Sequence, residues 1–293
     1  MEIIQVEKFI EILSSSTPKK IGILDNNTIS FLINVSEYIC IEKILTNYDL
    51  LLIPNWVYEE VRDSKGRVGY IEKIFNKGIK IFVVDERDYE KLINYKTVWL
   101  YKFFLYSSYK IGELKSFIKR YIEKGQALEE LEDYQVWLNL LYHNGFEGKM
   151  LKNGRMKKKN AGEISISVLA LIMSYIYFKA NHTVTILSND RDTYDFIEFA
   201  KLKLLKDSMF IELKESSITF KSNDFIIKES YLNNYINYGQ DICSIIRFRD
   251  EKRVKYTKNA LDTSVEEHDE ILSNEAFIEN LEDSTFNISL IHI

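Results

Sequence analysis

The sequence of 293 residues predicts an α/β fold: a central parallel sheet of about five strands, flanked by helices, with a helical insertion and a C-terminal extension. Three observations carry that expectation. Short apolar and β-branched runs recur between segments whose apolar residues fall at helical spacing. The run at residues 21–24 stops abruptly at Asp25, as a buried strand does. Two prolines and eleven glycines in the whole chain argue for a helix-rich protein with few elaborate loops.

Taken in order, Ile3, Val6, Phe9, Ile10 and Leu13 make the first dozen residues an amphipathic helix, which polar residues 14–20, including Pro18, bring to an end. Residues 21–24 form the first strand. Ile29, Leu32, Ile33, Ile39 and Ile44 predict one helix over residues 28–45. A second strand at residues 50–53 meets Pro54, a favoured first residue of a helix, and that helix carries Val57 and Val61 inward. Residues 79–84 read as a third strand, and residues 86–142, rich in Tyr, Trp and Phe, as a long helical region. With the lysine-rich loop that follows, the insertion extends from about 86 to about 158. The uncharged residues 164–178 predict a buried helix, short of the roughly 20 apolar residues a membrane span requires. A fourth strand at 183–187, a helix at 194–205 and a fifth strand at 209–213 complete the pattern. The expected domain therefore spans residues 1–215, with an accessory segment, ending in an acidic tail, over 216–293.

Composition sets limits on function. A chain 46% hydrophobic and 28% charged is ordinary for a soluble globular protein. Cys40 and Cys243 fit no metal or redox spacing and read as two buried thiols of a reducing cytoplasm. Glu2, Glu7 and Glu11 exclude a signal peptide. His143, His182, His268 and His292 show no zinc-ligand spacing, and no phosphate-binding glycine loop or nucleophile elbow is present. The net charge of −5 hides an asymmetry: from Asp262 onward there are nine acids and no Lys or Arg. The body before it is basic by comparison. An acidic tail that restrains a polyanion-binding body would look like this, and so would a solvated terminus.

Four acids stand out: Asp25, Glu60, Glu163 and Asp190. Asp25 and Asp190 follow predicted strands, and in open parallel sheets ligands bind beyond the carboxyl ends of the strands. Singly, each has a structural explanation. Asp25 and Asp190 would serve as helix N-caps, Asn160 with Glu163 as a capping box, and Glu60 as a solvated helix residue beside Glu59. Together they imply more. Two unit charges about 4 Å apart repel by about 4 kcal/mol at an effective dielectric near 20. Carboxylates gathered at one sheet edge therefore call for a cation, and an oxygen-only set suits Mg²⁺ or Mn²⁺ and phosphoryl chemistry.

These residues resemble the motifs of PIN-domain nucleases over about residues 18–215. An apolar strand leads to Asp in Ile21-Gly22-Ile23-Leu24-Asp25-Asn26-Asn27-Thr28. An acid follows a strand in Pro54-Asn55-Trp56-Val57-Tyr58-Glu59-Glu60-Val61, Gly162-Glu163 opens an apolar helix, and a strand ends in Leu187-Ser188-Asn189-Asp190. The resemblance implies that Asp25, Glu163 and Asp190 hold Mg²⁺ or Mn²⁺, with Asp192 in reserve, and that Glu60 acts through a water. It implies Ser188 or Thr28 behind a ligand carboxylate, and in-line attack by a metal-activated water, leaving a 5′-phosphate and a 3′-hydroxyl. RNA is the implied substrate. No membrane role follows, and self-association or an inhibitory partner protein stays open. Compact members of the family place the second and third acids closer together. A second reading keeps the fold as a catalytically idle nucleic-acid-binding or protein-interaction module. Haloacid-dehalogenase chemistry is excluded, because it needs a second Asp where Asn27 stands.

Two further features bear on nucleic acid. Lys149, Lys152, Arg155, Lys157, Lys158 and Lys159 crowd the loop before Glu163, and would contact a phosphate backbone or simply face solvent. Trp99, Tyr101, Phe103, Phe104 and Tyr106, interleaved with Lys96 and Lys102, would stack unpaired bases or, the stronger reading, pack in the core.

Overall fold

A computed structural model describes residues 4–15, 17–122, 133–151, 154, 156–177, 180–210, 217–259, 265–288 and 291–292. Helix α1 (Val6–Ser14) buries Val6, Phe9 and Leu13 and leaves Glu7 and Glu11 in solvent. Strand β1 (Lys20–Leu24) is buried from Ile21 onward. After Asp25 the chain enters α2 (Asn26–Val35) and then a short α3 (Ile41–Leu45). The single helix expected over 28–45 is therefore two. The break is made by distant partners: the Cys40 N–H donates to the Tyr235 carbonyl at 2.8 Å, and Ile39 bridges Ile236.

Strand β2 (Leu50–Pro54) is buried throughout. Pro54 is its last residue, with ψ at 144°, and precedes α4 (Asn55–Val61) instead of opening it. Helix α5 (Lys65–Asn76), N-capped by Ser64, was not apparent in the sequence because only Ile71 and Ile74 are buried along it. Strand β3 (Ile81–Val84) follows.

The helical region expected over 86–142 is, among the described residues, a series of short helices. A 3₁₀ turn (Glu86–Asp88) precedes α6 (Tyr89–Leu92), α7 (Thr97–Ser107), α8 (Gly112–Ile122) and α9 (Tyr134–Leu140), and a π turn (Leu141–Gly145) ends the series. Asn94 and Tyr95 turn the chain at positive φ, 51° and 58°. The aromatic stretch is core. Tyr101, Phe103 and Phe104 are buried, and Trp137 packs edge-on to Tyr101 and Phe104 at 4.5 and 5.3 Å between centroids.

The lysine-rich segment is an antiparallel hairpin, not a loop: β4 (Gly148–Met150) pairs with β5 (Met156–Lys158). The next helix, α10 (Ala161–Ile176), is nearly all buried. Two of its buried serines are satisfied internally, Ser165 by Glu86 and Tyr89 and Ser167 by Ser107. Strand β6 (Thr183–Leu187) and helix α11 (Arg191–Leu204) follow. The fifth parallel strand is β7 (Ile218–Lys221), not 209–213; Met209 and Phe210 lie in a turn, and residues 211–213 are outside the described residues. The sheet thus continues past the boundary expected at 215.

The sheet runs in the order β3-β2-β1-β6-β7, all parallel. The chain builds outward from β1 to β3 on one side, then crosses to β6 and β7 on the other. The switch point lies between β1 and β6, where an open parallel sheet presents its ligand crevice.

Beyond β7 come α12 (Asn223–Leu232), α13 (Ile242–Ile246), β8 (Lys252–Asn259), β9 (Val265–Leu272), α14 (Asn274–Glu282), β10 (Asn287–Ile288) and β11 (Ile291–His292). Strand β11 pairs antiparallel with β7, and a separate sheet runs β10-β8-β9. The acidic tail is therefore a folded part of the structure. Basic β8 faces acidic β9, with Lys258 opposite Glu266 and Lys255 opposite Asp269. Leu272, Phe277, Leu281 and Phe286 are buried, so residues 265–288 contribute core as well as charge. Cys243 is exposed and Cys40 only half-buried, which corrects the expectation of two buried thiols. No helix among the described residues is long and apolar enough to cross a membrane.

Candidate active site

Asp25 follows β1, and its N–H donates to the Leu187 carbonyl at 3.0 Å, extending the ladder to the end of β6. Across the switch point, the Ser188 hydroxyl donates to Asp25 Oδ2 at 2.7 Å and accepts the Asp190 N–H at 3.0 Å. One serine thus fixes Asp25 and orients the turn that carries Asp190. Asp25 occupies the N-cap position of α2 without capping it through its side chain. Asp190 does cap α11, accepting the Asp192 N–H at 2.8 Å.

Glu60 comes from α4 and Glu163 from the first turn of α10, a favourable place for a negative charge. The expected capping box is absent: Asn160 has a left-handed backbone, φ 61°, and makes no side-chain cap bond. Gly162 allows the two helices to approach, since a Cβ there would meet Val57 Cγ2 at 3.2 Å. Asp25, Glu60, Glu163 and Asp190, with Lys157 and Asn26, line one cavity of about 180 Å³.

The electrostatics follow from this crowding. Burial, together with the charges of Asp190 and Glu60, pushes the Asp25 carboxyl up to about 6 against the pull of its Ser188 bond. Burial, and then Asp25, Glu60 and Asp190, push Glu163 up to about 7. Glu163 Oε2 is buried without a hydrogen-bond partner. Glu60 is better satisfied. Lys157 from β5 lies 3.0 Å from its Oε2, and Asn26 Nδ2, whose amide oxygen accepts from Arg67, donates to it at 3.4 Å. Among the described residues, no three acidic, His or Cys side chains close on one point as metal ligands. The four carboxylates ring a cavity instead, an open set that suits an ion such as Mg²⁺ which keeps several of its waters.

Other expected residues lie elsewhere. Thr28 is buried and pairs with Asn223 at 3.4 Å, so it does not hold Asp25. Asp192 is exposed and lies outside the cavity lining. Lys158 is buried, its ammonium donating to the His143 carbonyl at 2.7 Å, so it braces the π turn and does not face a nucleic acid. Lys149 and Lys159 are exposed, Lys159 lying 3.5 Å from Glu147. Lys152 and Arg155 are outside the described residues.

Sequence reading missed Glu86, whose only local signal is its place just after β3. Its Oε1 accepts the Trp56 N–H at 2.9 Å and the Ser165 hydroxyl at 2.5 Å, joining the start of α4 to α10. It therefore positions the two helices that carry Glu60 and Glu163. Burial pushes its carboxyl from 4.5 up to about 8. A carboxyl raised on folding contributes stability that is full below pH 4.5 and lost as the pH rises through about 8. Glu86→Gln, which cannot ionise, is expected to flatten this part of the stability profile and to exceed the wild type at pH 8 in metal-free denaturant titrations. Parallel profiles for the two proteins would contradict a buried acid at this position.

The chain matches no known protein family, no curated protein and no solved structure.

Proposed function

We propose that the chain is a divalent-metal-dependent nuclease of PIN-like type, acting on RNA, with Asp25, Glu163 and Asp190 as metal-holding residues. The observation that carries this reading is the convergence of four carboxylates, from four separate segments, on one cavity at the sheet's switch point. The fit to a cation rests on the chemistry of that set. Its donors are all carboxylate oxygens, Glu163 Oε2 is buried and unpartnered, and burial, reinforced by mutual repulsion, raises the Asp25 and Glu163 carboxyls to about 6 and about 7.

A bound Mg²⁺ or Mn²⁺ supplies positive charge against the phosphate oxygens and a water of lowered pKa. The protein's own contribution is positional. Ser188 holds the Asp25 carboxylate through its hydroxyl, and Glu86 holds the helices carrying Glu60 and Glu163. Lys157, on Glu60 at the cavity, is a cation within reach of a phosphodiester there. Two free thiols fit a reducing cytoplasm.

The second reading, a catalytically idle nucleic-acid-binding module, draws support from the Glu60–Lys157 pair, which already neutralises one carboxylate. Incubation with an end-labelled single-stranded RNA separates the two. Cleavage is expected with Mn²⁺ or Mg²⁺ and not with EDTA, giving 5′-phosphate and 3′-hydroxyl ends. Binding without cleavage in either metal favours the idle module.

A further inference from the structure

A second cavity, of about 220 Å³, shares Asp190 with the carboxylate cavity. The ends of β6 and β7, one face of α11 and the C-terminal strands line it, so the segment after residue 215 completes it. Its surfaces are of two kinds. Tyr194 packs edge-on to Phe220 at 5.9 Å between centroids, and with Val254 and Ile288, both buried, they offer aromatic and aliphatic contact to a flat ring. Arg191 and Lys255 are exposed and form no ion pair among the described residues; Asp269, opposite Lys255 in the strand register, pairs with Arg253 instead.

The acids in the lining are largely spoken for. Asp195 pairs with Lys110 at 2.9 Å, Glu198 accepts from the Tyr194 hydroxyl at 3.3 Å, and Asp269 pairs with Arg253 at 2.9 Å. What remains is a cavity with the Tyr194 ring and two cations in its lining, and with Asp190 at its junction with the carboxylate cavity. Its volume lies below the roughly 300–1,000 Å³ of pockets that take drug-sized ligands, which suits a single base better than a longer stretch of strand.

We propose that this cavity receives the base of the nucleotide adjoining the scissile phosphate, stacked on Tyr194, with Lys255 and Arg191 meeting the neighbouring backbone phosphate. The proposal rests on the nuclease reading, because Asp190 joins the slot to the place where that reading puts the phosphodiester. It gives the C-terminal segment a part in choosing substrate.

Tyr194→Ala and Lys255→Glu, with thermal melts to check folding, test it. Each is titrated in EDTA with a ten-nucleotide single-stranded RNA and with adenosine 5′-monophosphate, and assayed for cleavage in Mn²⁺. Each variant is expected to weaken RNA binding about ten-fold and raise KM correspondingly, with kcat within about two-fold of wild type. Lys255→Glu is an exposed change, so it reads the same site if Tyr194→Ala fails to fold. If both variants bind and cleave RNA as the wild type does, the base site is refuted while the nuclease reading stands. If the wild type binds RNA through Tyr194 and Lys255 but cleaves nothing, the base site stands as a binding site and the nuclease reading falls. Binding of the mononucleotide without binding of RNA would refute a strand as the occupant. Neither binding nor cleavage refutes both.

Discussion

Asp25→Asn is expected to lower RNA cleavage by at least about 10³-fold while making the metal-free protein more stable at pH 7.5. The loss follows from removing a ligand oxygen at the point where charge must be held, a larger change than losing one hydrogen-bond donor to a transition state. The gain follows from the sign of the pKa shift. Asp25 is raised from 3.8 to about 6, so its contribution to stability is full below pH 3.8 and lost as the pH rises through about 6. Asn does not ionise and escapes that loss, a difference on the order of 2–3 kcal/mol. A purely structural N-cap would show no such gain, because Asn caps a helix about as well as Asp. Activity assays with denaturant titrations in EDTA read both effects. A variant that is both inactive and destabilised would make Asp25 a structural residue.

Arg249→Ala is expected to have the largest effect on stability. Arg249 is buried, and its guanidinium meets Asp224 through Nε–Oδ1 at 3.1 Å and Nη2–Oδ2 at 3.2 Å. Its Nη1 donates to the Leu272 carbonyl at 2.8 Å, and the group lies 4.5 Å from the Phe277 ring centroid. One side chain therefore ties α12 to β9 and α14. Removing one partner of a buried pair leaves an uncompensated charge and costs about 3–5 kcal/mol. In a chain of this size that lowers Tm by roughly 10 °C. Asp224→Leu combined with Arg249→Met should recover much of the loss, since the pair itself is not required for net stability. An Arg249→Ala melt indistinguishable from the wild type would mean that the C-terminal segment is not anchored through this residue.

Much of the fold was legible in the sequence, for local reasons. Residues 183–187 form a strand at their expected bounds because Thr183, Val184, Thr185 and Ile186 are β-branched and suit a pleated strand. Features set by distant contacts were not legible. The break after Val35 depends on bonds from Ile39 and Cys40 to residues near 235. The run Met209-Phe210-Ile211-Glu212-Leu213 looks more strand-like than Ile218-Thr219-Phe220-Lys221, yet pairing with β6 selects the latter. The C-terminal hairpin did carry a signal. Val254 and Tyr256 alternate with polar residues along β8 and are buried, a period-two pattern that the high charge of the segment obscures.

The candidate site divides in the same way. Asp25 and Asp190 could be placed at one sheet edge because Asp25 directly follows one strand and Asp190 stands three residues past the end of another. Thr28 and Lys158 were misjudged because burial, not spacing, decides what a threonine or a lysine does, and burial here depends on α12 and on the π turn. Asn26, Arg67 and Glu86 were missed because their partners are 34, 41 and 30 residues or more away in sequence.

Calorimetric titration of the metal-free protein with Mn²⁺ at pH 6 and pH 7.5 tests the central claim most directly. Because Asp25 and Glu163 sit near 6 and 7, binding should tighten with pH and release protons, and Asp25→Asn should abolish it. No binding by the wild type, or equal binding by the variant, would contradict a metal held by these carboxylates.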